Sequence, residues 1–251
     1  MRIALKFAYD GQSFYGYARQ PNLKTVEGEV IKTLIKYGFI EDTKESRFLS
    51  ASRTDKGVSA LCNVVSFNST YGPKQILDRL KEETGEIIFY GISEVDDNFN
   101  PRYAKSRFYR YYLLKQNLDV EKITKTLGAF TGTHDFTNFA RIESFKNPVR
   151  KIENIVVTES KDYLIIDFFA PNFLWNQIRR IISSVKKAGS GKIDKQEVVE
   201  ALVNPEKVAD FNLASARPLI LKNIFYDFDF KYKSNYLDEL DKLENKVFSS
   251  L

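Results

Sequence analysis

Ile3, Leu5, Phe7 and Tyr9 alternate with Arg2, Lys6 and Asp10, a period of two that predicts a strand with one buried face, ended by Gly11. The period then lengthens. Val26, Val30, Leu34 and Tyr37 recur at helical spacing behind Thr25, a residue type suited to an N-cap, and Gly38 closes the segment. Alternation returns at Leu61, Asn63, Val65 and Phe67, a helical pattern covers Pro73 to Glu83, and Ile87 to Val95 reads as a third strand.

A loosely similar series follows: a strand over Arg107 to Leu114, a helix from Asp119 to about Phe130, and strands near Ile152 to Val157 and Tyr163 to Phe169. Two helices are expected at Asn172 to Lys187 and Asp194 to Val203, the second with a capping box of Asp194 and Glu197 and with Pro205 beyond its end. Ile224, Tyr226, Phe228, Phe230 and Tyr232 predict a long alternating strand. Leu237, Leu240, Leu243 and Val247 then mark an amphipathic stretch suited to docking on the body or on another subunit.

Strands and helices mix without the regular alternation and glycine fingerprint of a dinucleotide fold, so the pattern predicts an α+β architecture. The expected division is an N-terminal half over 1–100 and a C-terminal half over 101–251. No low-complexity linker separates them, so they should share a continuous sheet or a close interface, with the cleft between them as the default site.

Composition narrows the chemistry. With 251 residues, 43% of them apolar, the chain has material for a substantial core. One cysteine, Cys62, excludes an internal disulfide, and with the single histidine, His134, leaves too few soft ligands for a structural zinc site. The opening residues do not form a secretory signal and no apolar run approaches about 18 residues, so a soluble, cytoplasmic protein is expected. A net charge of +5 is compatible with a polyanionic partner. Between Pro101 and Lys115, Arg102, Lys105, Arg107, Arg110 and Lys115 alternate with five aromatics and no acidic residue. That mixture suits looped RNA, whose phosphates need cations and whose unstacked bases need ring faces. It suits equally an amphipathic strand with a solvated basic face.

Three segments carry candidate chemistry. Ala51 to Ala60 sets Asp55 between Thr54 and Lys56, with Arg53 nearby and Gly57 permitting a tight turn. Taken alone it reads first as a polar turn; its functional reading is a presented carboxylate, nucleophile or general base. His134 and Asp135 lack companions for a triad or a metal site, which favours a hydrogen-bonded structural histidine. Arg179 and Arg180 interrupt an apolar helical face formed by Phe173, Leu174, Ile178, Ile181, Ile182 and Val185. Arg179 should face partly inward, beside Trp175 and Ile182, and either find an anionic partner or pack its stem and reach water.

Six segments in order, from Tyr9 to about Tyr226, resemble the TruA family of tRNA pseudouridine synthases. Tyr9-Asp10-Gly11 with Phe14, Gly16 and Gln20 is similar to the family's opening motif, with Tyr17 where a tryptophan is common. Ser52-Arg53-Thr54-Asp55-Lys56-Gly57-Val58 resembles its catalytic loop, although Ser59 stands where many members have histidine. Arg107-Phe108-Tyr109 resembles the arginine-x-tyrosine segment, and Gly132-Thr133-His134-Asp135-Phe136 the glycine-x-histidine-aspartate-phenylalanine motif. Asn172-Phe173-Leu174 through Ile178-Arg179 is similar to the helix bearing the partner of the catalytic aspartate. Ala214 through Leu221 resembles the last motif, with Pro218 in place of the usual glycine.

The resemblance implies two similar halves with mainly antiparallel sheets flanked by helices, and a cofactor-free, metal-free isomerase that converts uridine to pseudouridine in the anticodon stem-loop of tRNA. It assigns catalysis to Asp55, packing of the target base to Tyr109, the charge partner of Asp55 to Arg179 and the lining of the uracil pocket to Leu219. Arg53 and Lys56 would hold nearby phosphates, and His134 would touch the RNA or brace its loop. Members of the family work as homodimers. The alternative from another class is a non-catalytic RNA-binding module, which would need no ionised loop carboxylate.

Overall fold

A computed structural model describes residues 1–83, 85–144 and 146–251. The chain divides into two compact units, Met1–Lys105 with Ile220–Leu251, and Ser106–Leu219. Residues 220–251, read from sequence with the second half, therefore lie with the first unit.

In the first unit, β1 (Arg2–Tyr9) is central, antiparallel to both β3 (Ser59–Asn68) and β4 (Ile87–Val95). The short β2 (Leu49–Ser50) pairs with β3. Helices α1 (Val26–Lys36) and α2 (Pro73–Leu80) pack against β4. Thr25 caps α1 by accepting from the Gly28 amide, as its position suggests. The helix expected through Glu83 ends instead at Leu80.

All eight residues of β1 are buried, which overturns the one-faced strand. On its polar side, Arg2 donates to the carbonyl of Arg47 at 2.8 Å and to Ser66 Oγ at 2.6 Å. Lys6 donates to the Tyr232 hydroxyl at 3.2 Å and sits 4.4 Å from the Phe230 ring centroid. The residues covering Lys6 come from the end of the chain, more than 200 positions away, where local periodicity carries no signal.

That end is not one long strand. β10 (Leu219–Phe225) runs parallel to β3, and β11 (Lys231–Tyr232) pairs with β4. Between them Tyr226 stacks on Phe228, Phe230 packs tilted against Phe228, and Phe99 meets Tyr226 and Phe228 edge-to-face, with no ladder formed. The last helix, α6 (Tyr236–Phe248), follows and docks on this unit through buried Leu243 and Val247, while Leu237 is exposed. Lys246 pairs with Asp10 at 3.0 Å, and Lys222 pairs with Glu244.

In the second unit, β5 (Ser106–Leu114), β9 (Tyr163–Ala170) and β8 (Asn154–Glu159) form an antiparallel sheet. β6 (Gly132–Asp135) and β7 (Val149–Ile152) form a separate pair, so the strand expected near Ile152 to Val157 is in fact two. Along β9, Leu164, Ile166, Phe168 and Ala170 are buried and alternate with half-buried neighbours. Helices α3 (Val120–Gly128), α4 (Gln177–Gly189) and α5 (Lys195–Val203) pack together. The capping box of Asp194 and Glu197 is formed. The result is an α+β fold, mainly antiparallel and flanked by helices, as expected.

Candidate functional site

The segment from Ser52 to Val58 is held by the backbone and by buried polar groups of the first unit. Its entry is fixed where the Ala51 amide donates to the Val64 carbonyl at 2.8 Å, and buried Asn63 donates to the Ser52 carbonyl at 2.8 Å. Thr54 is fixed twice: its Oγ1 lies 2.8 Å from the buried Tyr9 hydroxyl, and its carbonyl accepts from the Tyr17 amide at 3.1 Å. The Val58 amide then donates to the Asp55 carbonyl at 3.1 Å, closing a tight turn with Lys56 and Gly57 at its centre. Gly57 has φ +86°, which requires a residue tolerant of the left-handed region.

The opening motif finds a physical reason here. The Gly11 amide donates to Ser59 Oγ at 3.0 Å, and a Cβ on residue 11 would overlap the carbonyl of Val58. Glycine at 11 thus lets one backbone lie directly against the turn that carries Asp55. Asp10 caps the 3-10 turn beginning at Gly11 by accepting from the Gln12 amide. Tyr9, Phe14 and Tyr17 are fully buried beside one another and form an aromatic floor. From that floor the loop presents Asp55 half-buried, with Arg53 and Lys56 exposed on either side. Main-chain bonds thus fix the turn that carries Asp55, and its side chain is not swallowed by the core.

In the second unit, Tyr109 on β5 is buried, its ring 5.3 Å from that of Phe173 in an edge-to-face arrangement. Arg179, on α4, is half-buried and donates through Nε to the Ala214 carbonyl at 2.8 Å, while the Ala214 amide donates back to the Arg179 carbonyl. These bonds tie the start of the last motif to the arginine helix. Tyr111 shares this neighbourhood; burial pushes its hydroxyl up to about 12, against the opposing pull of the Arg179 charge. Leu219, buried, donates its amide to the Ala216 carbonyl at 3.0 Å.

The helix carrying Arg179 starts later than expected. Asn176 takes a left-handed conformation, φ 63°, and helical geometry begins at Gln177. Phe173, Leu174 and Trp175 are therefore not on its face, and Trp175 does not lie one turn before Arg179. Its ring is instead covered by the Arg141 guanidinium at 4.1 Å.

His134 belongs to the β6–β7 pair, opposite Arg150, with Nε2 3.0 Å from the Thr131 carbonyl oxygen and its ring edge-to-face with Phe136. The imidazole thus makes a hydrogen bond to the residue just before its own strand. The basic segment is mostly internal wiring. Arg110 grips Asp167 with two bonds of 2.7 and 2.8 Å, which raises its pKa, and Lys115 pairs with Glu159 at 2.6 Å. Lys105 pairs with Asp227, and buried Arg107 donates to the Pro171 carbonyl. Tyr109, Tyr111 and Tyr112 face inward, and only Tyr103 among the segment's tyrosines is largely exposed.

Among the described residues no group of three or more His, Cys, Asp or Glu side chains is placed to hold a metal ion, and no helix is long and apolar enough to cross a membrane. Asn63, which the alternation marks only as a strand position, joins Tyr9 and Ser59 in holding the Asp55 loop. A polar, hydrogen-bonding residue inside an otherwise apolar strand was the available signal for Asn63.

Comparison with known proteins places relatives beside this chain. Residues 127–227 match a family model described as tRNA pseudouridine synthase. A tRNA pseudouridine synthase A from Thermococcus sibiricus is 46% identical over 230 residues, covering 90% of this chain and 85% of the relative. The protein of the same name from Thermococcus onnurineus is 42% identical over 229 residues, with the same coverage of both chains. That from Pyrococcus horikoshii is 38% identical over 255 residues, covering 99% of this chain and 94% of its own.

Proposed function

The chain belongs to the TruA family of tRNA pseudouridine synthases, and from that premise we propose that it isomerises uridine to pseudouridine in the anticodon stem-loop of tRNA, with Asp55 as its catalytic residue. The observation that carries this reading is the Asp55 loop itself, a half-buried carboxylate on a turn locked by Tyr9, Gly11, Tyr17 and Asn63.

The reaction breaks the bond between N1 of uracil and C1′ of the ribose, turns the base, and joins C5 to C1′. N1 ends protonated and C5 gives up its hydrogen, so the change is an isomerisation with no net redox step. The target base must first leave its stack, at a cost of a few kcal/mol that is least in a loop. Asp55 serves as nucleophile or as the base that removes a ribose proton, and both routes need an ionised carboxylate beside the flipped nucleotide. Arg179 is assigned the charge that keeps it so, Tyr109 the packing of the base and Leu219 the lining of the uracil pocket. Arg53 and Lys56, exposed beside Asp55, hold phosphates. His134 braces its own hairpin or touches the RNA from there.

The family resemblance further supports a cytoplasmic homodimer that works without metal or cofactor. The function is tested by incubating the protein with unmodified tRNA and mapping pseudouridine through a specific chemical adduct. Adducts at uridines of the anticodon stem-loop are the expected result. Bound tRNA with no adduct anywhere would instead support a non-catalytic RNA-binding module.

A further inference from the structure

Within the run Phe14 to Tyr17, two aromatics point into the core and one does not. Phe14 and Tyr17 are buried against Tyr9, whereas Tyr15 is 50% exposed. Its exposure is not that of a loose loop. The Tyr15 amide donates to the Lys24 carbonyl at 2.8 Å, and its own carbonyl accepts from Gln20 Nε2 at 3.1 Å. The next residue, Gly16, has φ +95° and lies so close that a Cβ there would stand 3.4 Å from the Lys56 amide nitrogen. The Tyr17 amide is bound to Thr54, on the other side of Asp55. The backbone around Tyr15 is thus laid along the catalytic loop and fixed to it.

The ring meets that loop directly. The Lys56 ammonium stands over it, 4.3 Å from the centroid, so a cation and an exposed aromatic share one surface a single residue from Asp55. A fixed ring offers a face on which a base can stack whatever its identity, and an ammonium beside it suits the phosphate of the same nucleotide. Peptide or lipid partners would use the ring but have no need of this pairing so close to the reacting carboxylate.

We infer that Tyr15 and Lys56 together bind a nucleotide of the tRNA that neighbours the target uridine, Tyr15 by stacking and Lys56 through the phosphate. This rests on the tRNA-modifying reading of the Asp55 loop. With Tyr15 assigned to the neighbouring nucleotide and not to the reacting base, its loss weakens binding and leaves the chemical step.

The test uses the full-length protein with Tyr15→Ala, Tyr15→Phe and Tyr15→Trp, measuring both the Kd for unmodified tRNA and steady-state pseudouridine formation. Tyr15→Ala should raise Kd and KM about tenfold, the scale of one lost base stack, with kcat held within about twofold. Tyr15→Phe and Tyr15→Trp should recover most of the affinity, because they keep a ring. Unchanged Kd and KM in Tyr15→Ala would overturn the inference, as would a phenylalanine variant as weak as the alanine one. A fall in kcat with Kd unchanged would show Tyr15 to be a brace for the loop and would also overturn it. If the wild-type protein makes no pseudouridine while Tyr15→Ala still weakens tRNA binding, the nucleotide contact stands and the isomerase reading fails.

Discussion

A methyl group on residue 11 has nowhere to go, because the Val58 carbonyl already fills its place and the Gly57 carbonyl carbon would lie at 2.9 Å. Backbone cannot yield as a flexible side chain does, so Gly11→Ala must push the Asp55 turn outward. We expect it to lower stability by about 1–3 kcal/mol and, by misplacing the carboxylate on the order of 1 Å, to lower kcat about 100-fold. Denaturant unfolding and steady-state kinetics read the two effects, and wild-type kcat in this variant would show that the contact does not position the loop. The local pattern shows Gly11 as the end of a strand and the resemblance as part of a motif; its partner sits 47 residues on, and only the fold brings the two backbones together. Thr25, Asp119 and Asp194 are legible at this scale because a cap acts within four residues of itself.

Elements were legible where the local pattern of apolar residues matches the burial that the fold gives them. β4 and β9 span almost the ranges expected, and β9 keeps its alternation, whereas Phe89 to Ile92 of β4 are buried without a break. The approach to α4 misleads because its apolar run continues through Phe173 and Leu174 although Asn176 breaks helical geometry behind them. Arg110 looks like a solvated cation until β9 brings Asp167 opposite it. The final amphipathic stretch illustrates the same dependence on tertiary context. Its apolar face is divided, with Leu243 and Val247 buried and Leu237 60% exposed. Leu243→Ala should therefore cost about 2–4 kcal/mol, and Leu237→Ala less than about 0.5 kcal/mol. Equal costs in chemical denaturation would contradict the docking of α6 through that face.

Across the whole molecule, buried tyrosine hydroxyls set an alkaline limit. Burial raises Tyr17 and Tyr90 well above the ordinary value and Tyr111 to about 12. A hydroxyl raised in the folded state contributes stability that is fully present below the unfolded pKa, near 10, and is lost as pH rises through the folded value. Unfolding free energy should fall between about pH 10 and pH 12, with the phenolate absorbance of these residues appearing together with unfolding. Ordinary titration of every tyrosine near pH 10 in the folded protein would contradict that burial. The α+β class was readable from the chain because it depends on the order of elements, whereas the return of residues 220–251 to the first unit depends on a parallel pairing with β3 that no local pattern encodes. The functional claim rests on one carboxylate. It is tested most directly with tRNA carrying tritium at C5 of its uridines, given to the wild-type protein and to Asp55→Asn. The account predicts release of tritium by the wild type and none by the variant, with tRNA affinity and unfolding midpoint preserved; release by Asp55→Asn at the wild-type rate would contradict it.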